Sequence, residues 1–141
     1  MKIDEVMTRE VTTCKPNDSL ADCATMMREL NVGAMPIVDD NNKELVGIIT
    51  DRDIAVRAVA KGEDPNEAQA GRFMTPRPIT VEPDTNVEDA AELMASNQVR
   101  RLPVVQHGKL VGIVSLGDLA VDLGEEELVA ETLEAISVPV R

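Results

Sequence analysis

Aromatic side chains are almost absent from this sequence, which has one Phe and neither Trp nor Tyr in 141 residues. A folded core must therefore be aliphatic, and single-stranded nucleic acid, which binds by stacking on aromatic rings, is a poor fit. Basic residues are also scarce, since 14 Lys and Arg face 26 Asp and Glu, giving a net charge of −12. That charge repels polyanions and argues against general binding of DNA or RNA.

Long apolar runs, metal-ligand spacings and catalytic motifs are missing too. No run approaches a membrane span, and Met1–Glu5 has no apolar signal core, so we expect a cytoplasmic protein with no membrane partner. Cys14 and Cys23 lack CxxC or Cys/His spacing and are expected to be reduced core thiols. The single histidine, His107, lies in a predicted hairpin turn, and no nucleophile has a partner base. The sequence predicts neither an enzyme nor a metal site.

What the sequence does contain is a tandem repeat. Met35-Pro36-Ile37-Val38 returns as Leu102-Pro103-Val104-Val105, an offset of 67 residues. Leu45-Val46-Gly47-Ile48 returns as Leu110-Val111-Gly112-Ile113, an offset of 65, because the loop between the two blocks is shorter in the second copy. A unit of about 60 residues buries roughly 60% of its unfolded surface and alone would be only marginally stable. We therefore expect the two copies to share one core in a single pseudo-symmetric domain.

Each copy is predicted to follow the order β-α-β-β-α. In the first copy the elements are a strand at 12–14, a helix from Ser19 to Asn31, strands at 35–38 and 45–49, and a helix from Thr50 to Gly62. In the second copy they are a strand at 79–81, a helix at 86–96, strands at 102–105 and 110–114, and a helix at 115–122. The predicted ranges are 1–62 for the first unit with its lead-in, 63–72 for a linker, 73–122 for the second unit and 123–141 for a C-terminal helical tail.

This doubled pattern resembles a tandem pair of CBS domains, also called a Bateman module, of the stand-alone bacterial and archaeal kind. The resemblance covers roughly residues 4–122 and rests on a strand containing Pro, then Leu-Val-Gly-Ile, then Thr/Ser-x-x-Asp at a helix start, in both copies. It implies an α/β fold of the α+β type, in which two pseudo-twofold-related units pack through small sheets, with a C-terminal helix added.

The resemblance also implies a function. It predicts a regulatory module that binds adenine nucleotides (AMP, ADP, ATP or NAD-type) in clefts between the units and requires no other cofactor. It further implies a homodimer that signals by conformational change to an effector protein in trans. The alternative is a ligand-free dimer that acts as a protein-interaction module.

The Thr/Ser-x-x-Asp motifs permit two interpretations. Thr50 with Asp53, and Ser115 with Asp118, are placed to form capping boxes at helix starts. Asp is shorter than the usual Glu or Gln, however, and its two oxygens suit the vicinal hydroxyls of a ribose. The resemblance implies that both aspartates contact ribose, with Thr50 and Ser115 beside ribose and phosphate. The two roles can coexist.

The segments before the two strand prolines differ between the copies. By resemblance, they line the adenine and phosphate side of a cleft. Val32-Gly33-Ala34 offers space and backbone, whereas Val99-Arg100-Arg101 offers two guanidinium groups that suit phosphate. The second site is thus the better candidate for a phosphorylated ligand, although salt bridges to Glu88 or Glu92 are an alternative use of the arginines.

Some predicted positions carry weaker signals. Thr13 and Thr80 either meet the base, as the resemblance implies, or are ordinary strand residues. Arg52 and Arg57 can serve phosphates as well, although a solvated helix face is the more ordinary place for both. The last helix has a few apolar residues that can cover a core edge or a partner, namely Leu128, Val129, Leu133 and Ile136. The predicted nucleotide-binding residues are Thr13, Val32, Gly33, Ala34, Thr50, Asp53, Thr80, Val99, Arg100, Arg101, Ser115 and Asp118.

Overall fold

Two compact units make up the chain in a computed structural model that describes residues 1–123 and 126–137, with side chains except those of 121–129 and 131. The first-repeat unit contains Thr12–Pro78 and Gly108–Leu110. The second-repeat unit contains Met1–Val11, Ile79–His107 and the chain from Val111 onward. Both combine helices with short strands, which confirms the predicted mixed fold class.

The first-repeat unit is built around a small antiparallel sheet in the order β1-β2-β3. Its elements are α1 (Leu20–Leu30), β1 (Ala34–Val38), β2 (Leu45–Thr50), a π-helix (Asp53–Ala58), α2 (Ala70–Phe73) and β3 (Thr75–Pro76). The Asp22 N–H donates to Ser19 Oγ at 3.1 Å, which confirms Ser19 as the N-cap of α1. Asn31 and Gly62 adopt left-handed backbone conformations, φ 55° and 81°, and end the two helical segments as predicted.

Among the residues the structure describes, the second-repeat unit contains a two-stranded sheet, three α-helices and a 3-10 helix (Ile3–Glu5). Its elements are α3 (Val87–Asn97), β4 (Arg101–Gln106), β5 (Lys109–Ser115), α4 (Leu116–Leu123) and α5 (Glu126–Ile136). His107 and Gly108, with φ of 54° and 80°, form the tight turn between β4 and β5. The predicted hairpin is therefore confirmed, and His107 is exposed there.

The first predicted strand of each copy is shorter in the structure than expected, because one residue of each makes an isolated bridge. Cys14 makes a single parallel bridge with Ile37, and Val81 makes the equivalent bridge with Val104. The hydrogen bonds are equivalent as well, because the Cys14 N–H donates to the Pro36 carbonyl and the Val81 N–H to the Pro103 carbonyl, at 2.9 and 3.1 Å. Two residues further along, Pro16 and Pro83 have no N–H to donate, so neither ladder extends.

The lead-in segments are exchanged between the repeats. The N–H of Thr8 donates to the carbonyl of Ile113, 2.8 Å away, and Thr75 pairs with Ile48 in the first-repeat sheet. A Cβ added to Gly112 or Gly47 would lie 2.9 Å from the carbonyl oxygen of Thr8 or Thr75, respectively, so only glycine permits this approach. The compact units therefore divide the chain differently from the predicted ranges, which kept residues 1–11 with the first repeat.

Buried apolar residues form two clusters in the described part of the chain, one per unit, rather than the single core expected from the sequence. The second-repeat cluster takes Ile3 and Val6 from the exchanged lead-in, and the first-repeat cluster takes Ala68 and Ala70. Each unit completes its own core with the segment that precedes the other repeat.

The two cysteines are buried free thiols in the first-repeat cluster, as predicted. A hydrogen bond with Cys14, followed by burial, raises the pKa of the Cys23 thiol far above its ordinary value. The same bond lowers the pKa of Cys14. Both thiols are therefore packing residues of the core, and Cys14 Sγ lies 3.9 Å from Met26 Sδ.

The predicted C-terminal helix is present as α5, which packs on α3 and α4. Ile136 packs against the second-repeat cluster, which confirms that this helix covers a core edge. The side chains of Leu128 and Val129 lie outside the described residues. No helix in the described part of the chain has the length and apolar character needed to cross a membrane.

Candidate functional site

The Ser115-x-x-Asp118 motif forms a complete capping box where β5 passes into α4. The Ser115 N–H donates to Asp118 Oδ2 at 2.9 Å, and the Asp118 N–H donates to Ser115 Oγ at 3.1 Å. Asp is thus long enough to close the box, although its side chain is shorter than the usual Glu or Gln. The capping role is established by geometry, and it leaves Asp118 Oδ1 for other contacts.

The Thr50-x-x-Asp53 motif has the same box, with both hydrogen bonds at 3.0 Å. Here, however, the second carboxylate oxygen is also engaged. Arg57 Nη1 lies 3.7 Å from Asp53 Oδ1 and also donates to the carbonyl oxygen of Phe73 at 2.9 Å. Arg57 therefore holds the lead-in segment of the other repeat rather than lying free on a solvated face, as the sequence had suggested.

Arg100 and Arg101 lie where the chain enters β4, next to the start of α4. The Leu116 N–H donates to the Arg100 carbonyl at 2.9 Å, which fixes the two segments side by side. Both arginines are exposed, and within the described residues neither forms an ion pair with Glu88, Glu92 or any other acid. Two guanidinium groups are therefore available to a ligand.

A pocket of about 380 Å³ lies at this point, within the second-repeat unit. It is lined by Arg100, Arg101, Ser115, Leu116, Gly117, Ala120 and Leu133. Three of the predicted site residues are thus brought together, whereas Asp118 is bonded to Ser115 without lining the pocket itself.

Four lining residues were missed by sequence reasoning. Leu116 and Gly117 are the two variable positions of the Ser-x-x-Asp motif, and Ala120 follows one helical turn after Leu116, so all three were open to inference from helical spacing. Leu133 comes from α5, outside the repeat; its apolar character indicated that it covers a core edge or a partner, but not that it lines this pocket.

The equivalent place in the first-repeat unit has different chemistry. Asp51 and Arg52 occupy the positions of Leu116 and Gly117, and the Asp51 N–H donates to the Gly33 carbonyl at 2.9 Å. The Asp51 carboxylate lies against Gly33, with Oδ2 only 3.0 Å from where a Cβ on that glycine would be. Ala34 is a half-buried strand residue paired with Thr50. This site presents a carboxylate where the other presents arginines.

The remaining predicted residues lie away from the pocket lining. Val32 and Val99 are half-buried and pack against the apolar cluster of their own unit. Thr13 is half-buried and Thr80 exposed, each directly before the residue that bridges to the following strand. Contacts of these four residues with a ligand stay predictions.

In the described part of the chain, no group of three or more His, Cys, Asp or Glu side chains is placed to hold a metal ion. The predicted acceptors and donors instead suit a small organic anion.

Comparisons of this chain with known proteins agree on one family. The model of the CBS domain matches residues 3–59 and 70–125. The CBS domain-containing protein YhcV of Bacillus subtilis is 41% identical over 135 residues, covering 96% of this chain and 94% of that protein. The solved Hypoxic Response Protein I, with two coordinated zinc ions, is similar with a TM-score of 0.80, 36% identity, and coverage of 87% of this chain and 99% of that one. CBSX2 in complex with AMP has a TM-score of 0.77, 32% identity, and coverage of 89% and 98%.

Proposed function

This chain belongs to the CBS-domain family, and from that premise we propose that it is a regulatory module that binds an adenine nucleotide in the second-repeat pocket. One observation carries the proposal. Arg100 and Arg101, which have no ion-pair partner among the described residues, flank a pocket of about 380 Å³ in a protein of net charge −12. Two exposed guanidinium groups beside a pocket of an acidic protein are a specific feature that a phosphate group suits.

The neighbouring groups suit the rest of a nucleotide. Ser115 Oγ accepts its hydrogen bond from the Asp118 N–H, which leaves the hydroxyl proton for a phosphate oxygen. Asp118 Oδ2 is held by the Ser115 N–H, which leaves Oδ1 to accept from a ribose hydroxyl. Capping and ligand contact are thus compatible in one carboxylate. The apolar lining, Leu116 and Ala120, suits the faces of the base.

The choice of an adenine nucleotide as the ligand rests on CBSX2, which was solved in complex with AMP. AMP, ADP, ATP and NAD-type dinucleotides all contain an adenylate group, and direct titration distinguishes among them. The zinc ions of the other neighbour have no matching donor cluster within the residues described here. We therefore take the organic ligand as the candidate for this chain.

Signalling is proposed to pass to an effector protein in trans, as the resemblance to regulatory CBS pairs implies. A bound nucleotide shifts a conformational equilibrium only by its difference in affinity for the two states. Val56 and Val59 are 48% and 54% exposed on the helical segment that follows Thr50, which gives an apolar surface for a homodimer. The same surface favours the second candidate, a ligand-free interaction module.

Calorimetric titration and thermal shift with AMP, ADP, ATP and NAD test the proposal. The wild type is expected to bind at least one of them, and Asp118→Asn to bind it more weakly while retaining the capping oxygen. Arg52→Ala, which removes one exposed arginine in the first repeat, serves as the matched control and is expected to bind as the wild type does. Absence of binding to all four nucleotides, with a dimer that Val59→Asp dissociates in light scattering, would support the interaction module instead.

A further inference from the structure

Helix α5 supplies one wall of the second-repeat pocket. Leu133 lines the pocket together with Arg100 and Arg101. The matched CBS repeats end at residue 125, so α5 (Glu126–Ile136) lies outside them. The pocket is therefore completed by a segment that the repeat does not include.

Residues other than Leu133 dock α5 on its unit. Thr132 is only 3% exposed, and Ile136 packs against the second-repeat cluster. Leu133 lies between them in the chain and remains 40% exposed. A large apolar side chain in the wall of a pocket retains surface that a ligand can remove from water, and this removal is favourable.

We infer that Leu133 contacts the base of the bound nucleotide and that nucleotide binding is thereby linked to the docking of α5. The inference rests on the proposed nucleotide binding in this pocket. The two arginines take the phosphate, so the apolar residues of the lining are left for the flat faces of the base. Linkage is reciprocal: if the base stabilises docked α5, docked α5 strengthens nucleotide binding by the same factor.

The first repeat offers no equivalent of α5. After Gly62 the chain continues into α2, which packs on β2 and the π-helix of the first-repeat unit. Binding in the second-repeat pocket is thus linked to a helix that has no counterpart in the first repeat. That helix is the element through which an effector in trans would sense the ligand.

Two probes that differ only by the base test this inference. AMP and ribose 5-phosphate are titrated against wild type, Leu133→Ala and Glu134→Ala by NMR, which also measures weak binding. Leu133→Ala is expected to weaken AMP binding about fivefold or more and to leave ribose 5-phosphate binding unchanged. Glu134 is exposed on the same helix and is the matched control, so its variant should bind both probes as the wild type does.

Hydrogen exchange on the wild type gives a second readout that needs no variant. AMP should slow the exchange of the α5 amides, whereas ribose 5-phosphate should not. Equal weakening of both probes by Leu133→Ala, or α5 exchange that AMP leaves unchanged, would overturn the inference while sparing nucleotide binding. A wild type that binds neither probe would overturn the proposed function, and this inference with it.

Discussion

Asp53 and Asp118 occupy the same position of the same motif, yet their surroundings leave them with different capacities. Both close a capping box through Oδ2. Asp53 is 8% exposed and its Oδ1 faces Arg57, whereas Asp118 is half-buried and has no ion pair within the described part of the chain. The position equivalent to Arg57 in the second repeat is Asp122, so the second repeat cannot supply that partner.

The segment facing each motif differs in the same direction. The first repeat sets Gly33 against Asp51, and the second sets Arg100 against Leu116. In the first repeat, Asp53 pairs with Arg57, and Arg57 also holds the lead-in through the Phe73 carbonyl. In the second repeat, Arg100 and Arg101 form no ion pair among the described residues. Duplication kept the capping box in both copies, and the side chains next to it differ in charge and in pairing.

The largest expected effect follows from removing the two arginines that line the second-repeat pocket. Arg100→Ala combined with Arg101→Ala should weaken AMP binding about 100-fold, because each hydrogen bond to a charged group contributes about 1.5–3 kcal/mol. Calorimetry measures the loss. Arg52→Ala, the control in the first repeat, should change the affinity less than about twofold, since this exposed residue lies in the other unit. Equal losses in the two variants would show that general charge, and not this pocket, governs binding.

A second experiment introduces residues of the second-repeat site at the equivalent positions of the first repeat. Gly33→Arg alone should add no binding, because the new guanidinium would pair with the adjacent Asp51 carboxylate. Gly33→Arg combined with Asp51→Leu places an arginine beside a leucine, as Arg100 lies beside Leu116, and should give the first repeat measurable AMP binding that the single variant lacks. Calorimetric stoichiometry distinguishes one site from two. A single variant that binds as well as the double would refute the proposed role of Asp51.

The sequence predicted most of the fold because hydrophobic spacing, Ser19, Asn31 and Gly62 determine where the elements begin and end. It also indicated Arg100, Arg101 and Ser115 correctly as neighbours, because an aligned repeat places equivalent segments together. Three features were not predictable in this way. The lead-in exchange depends on long-range pairing, the pairing of Arg57 with Asp53 depends on side-chain direction, and Leu133 comes from a helix with no counterpart in the repeat.

A smaller effect is expected from removing Arg57, whose contacts lie within the first-repeat unit. Arg57→Ala removes the hydrogen bond to the Phe73 carbonyl and the pair with Asp53, and should destabilise the first-repeat unit by about 1–2 kcal/mol. Denaturant unfolding measures the loss, and hydrogen exchange should be faster in residues 65–78 but unchanged in residues 1–11. The exposed Arg52→Ala change is the control and should alter stability by less than about 0.5 kcal/mol. Faster exchange in both lead-ins would contradict the separation of the two units.

The smallest effect concerns the two cores at alkaline pH. Cys14 and Cys23 occupy the positions of Val81 and Ala90, so only the first-repeat core holds thiols. The hydrogen bond with Cys14, and burial, raise the pKa of Cys23 above its ordinary value of 9.0.

Above pH 9 the unfolded chain therefore loses two thiol protons while the folded unit retains that of Cys23. Stability should then fall by up to about 1.4 kcal/mol per pH unit above pH 9, with no loss from Cys23 below it. Unfolding midpoints between pH 8 and 11 measure this slope. Cys14→Val combined with Cys23→Ala, which introduces both second-repeat residues, should flatten it, whereas Cys23→Ala alone should not, because burial then raises the pKa of Cys14. An unchanged slope in the double variant would assign the alkaline loss to lysines, and the two cores would then respond to pH alike.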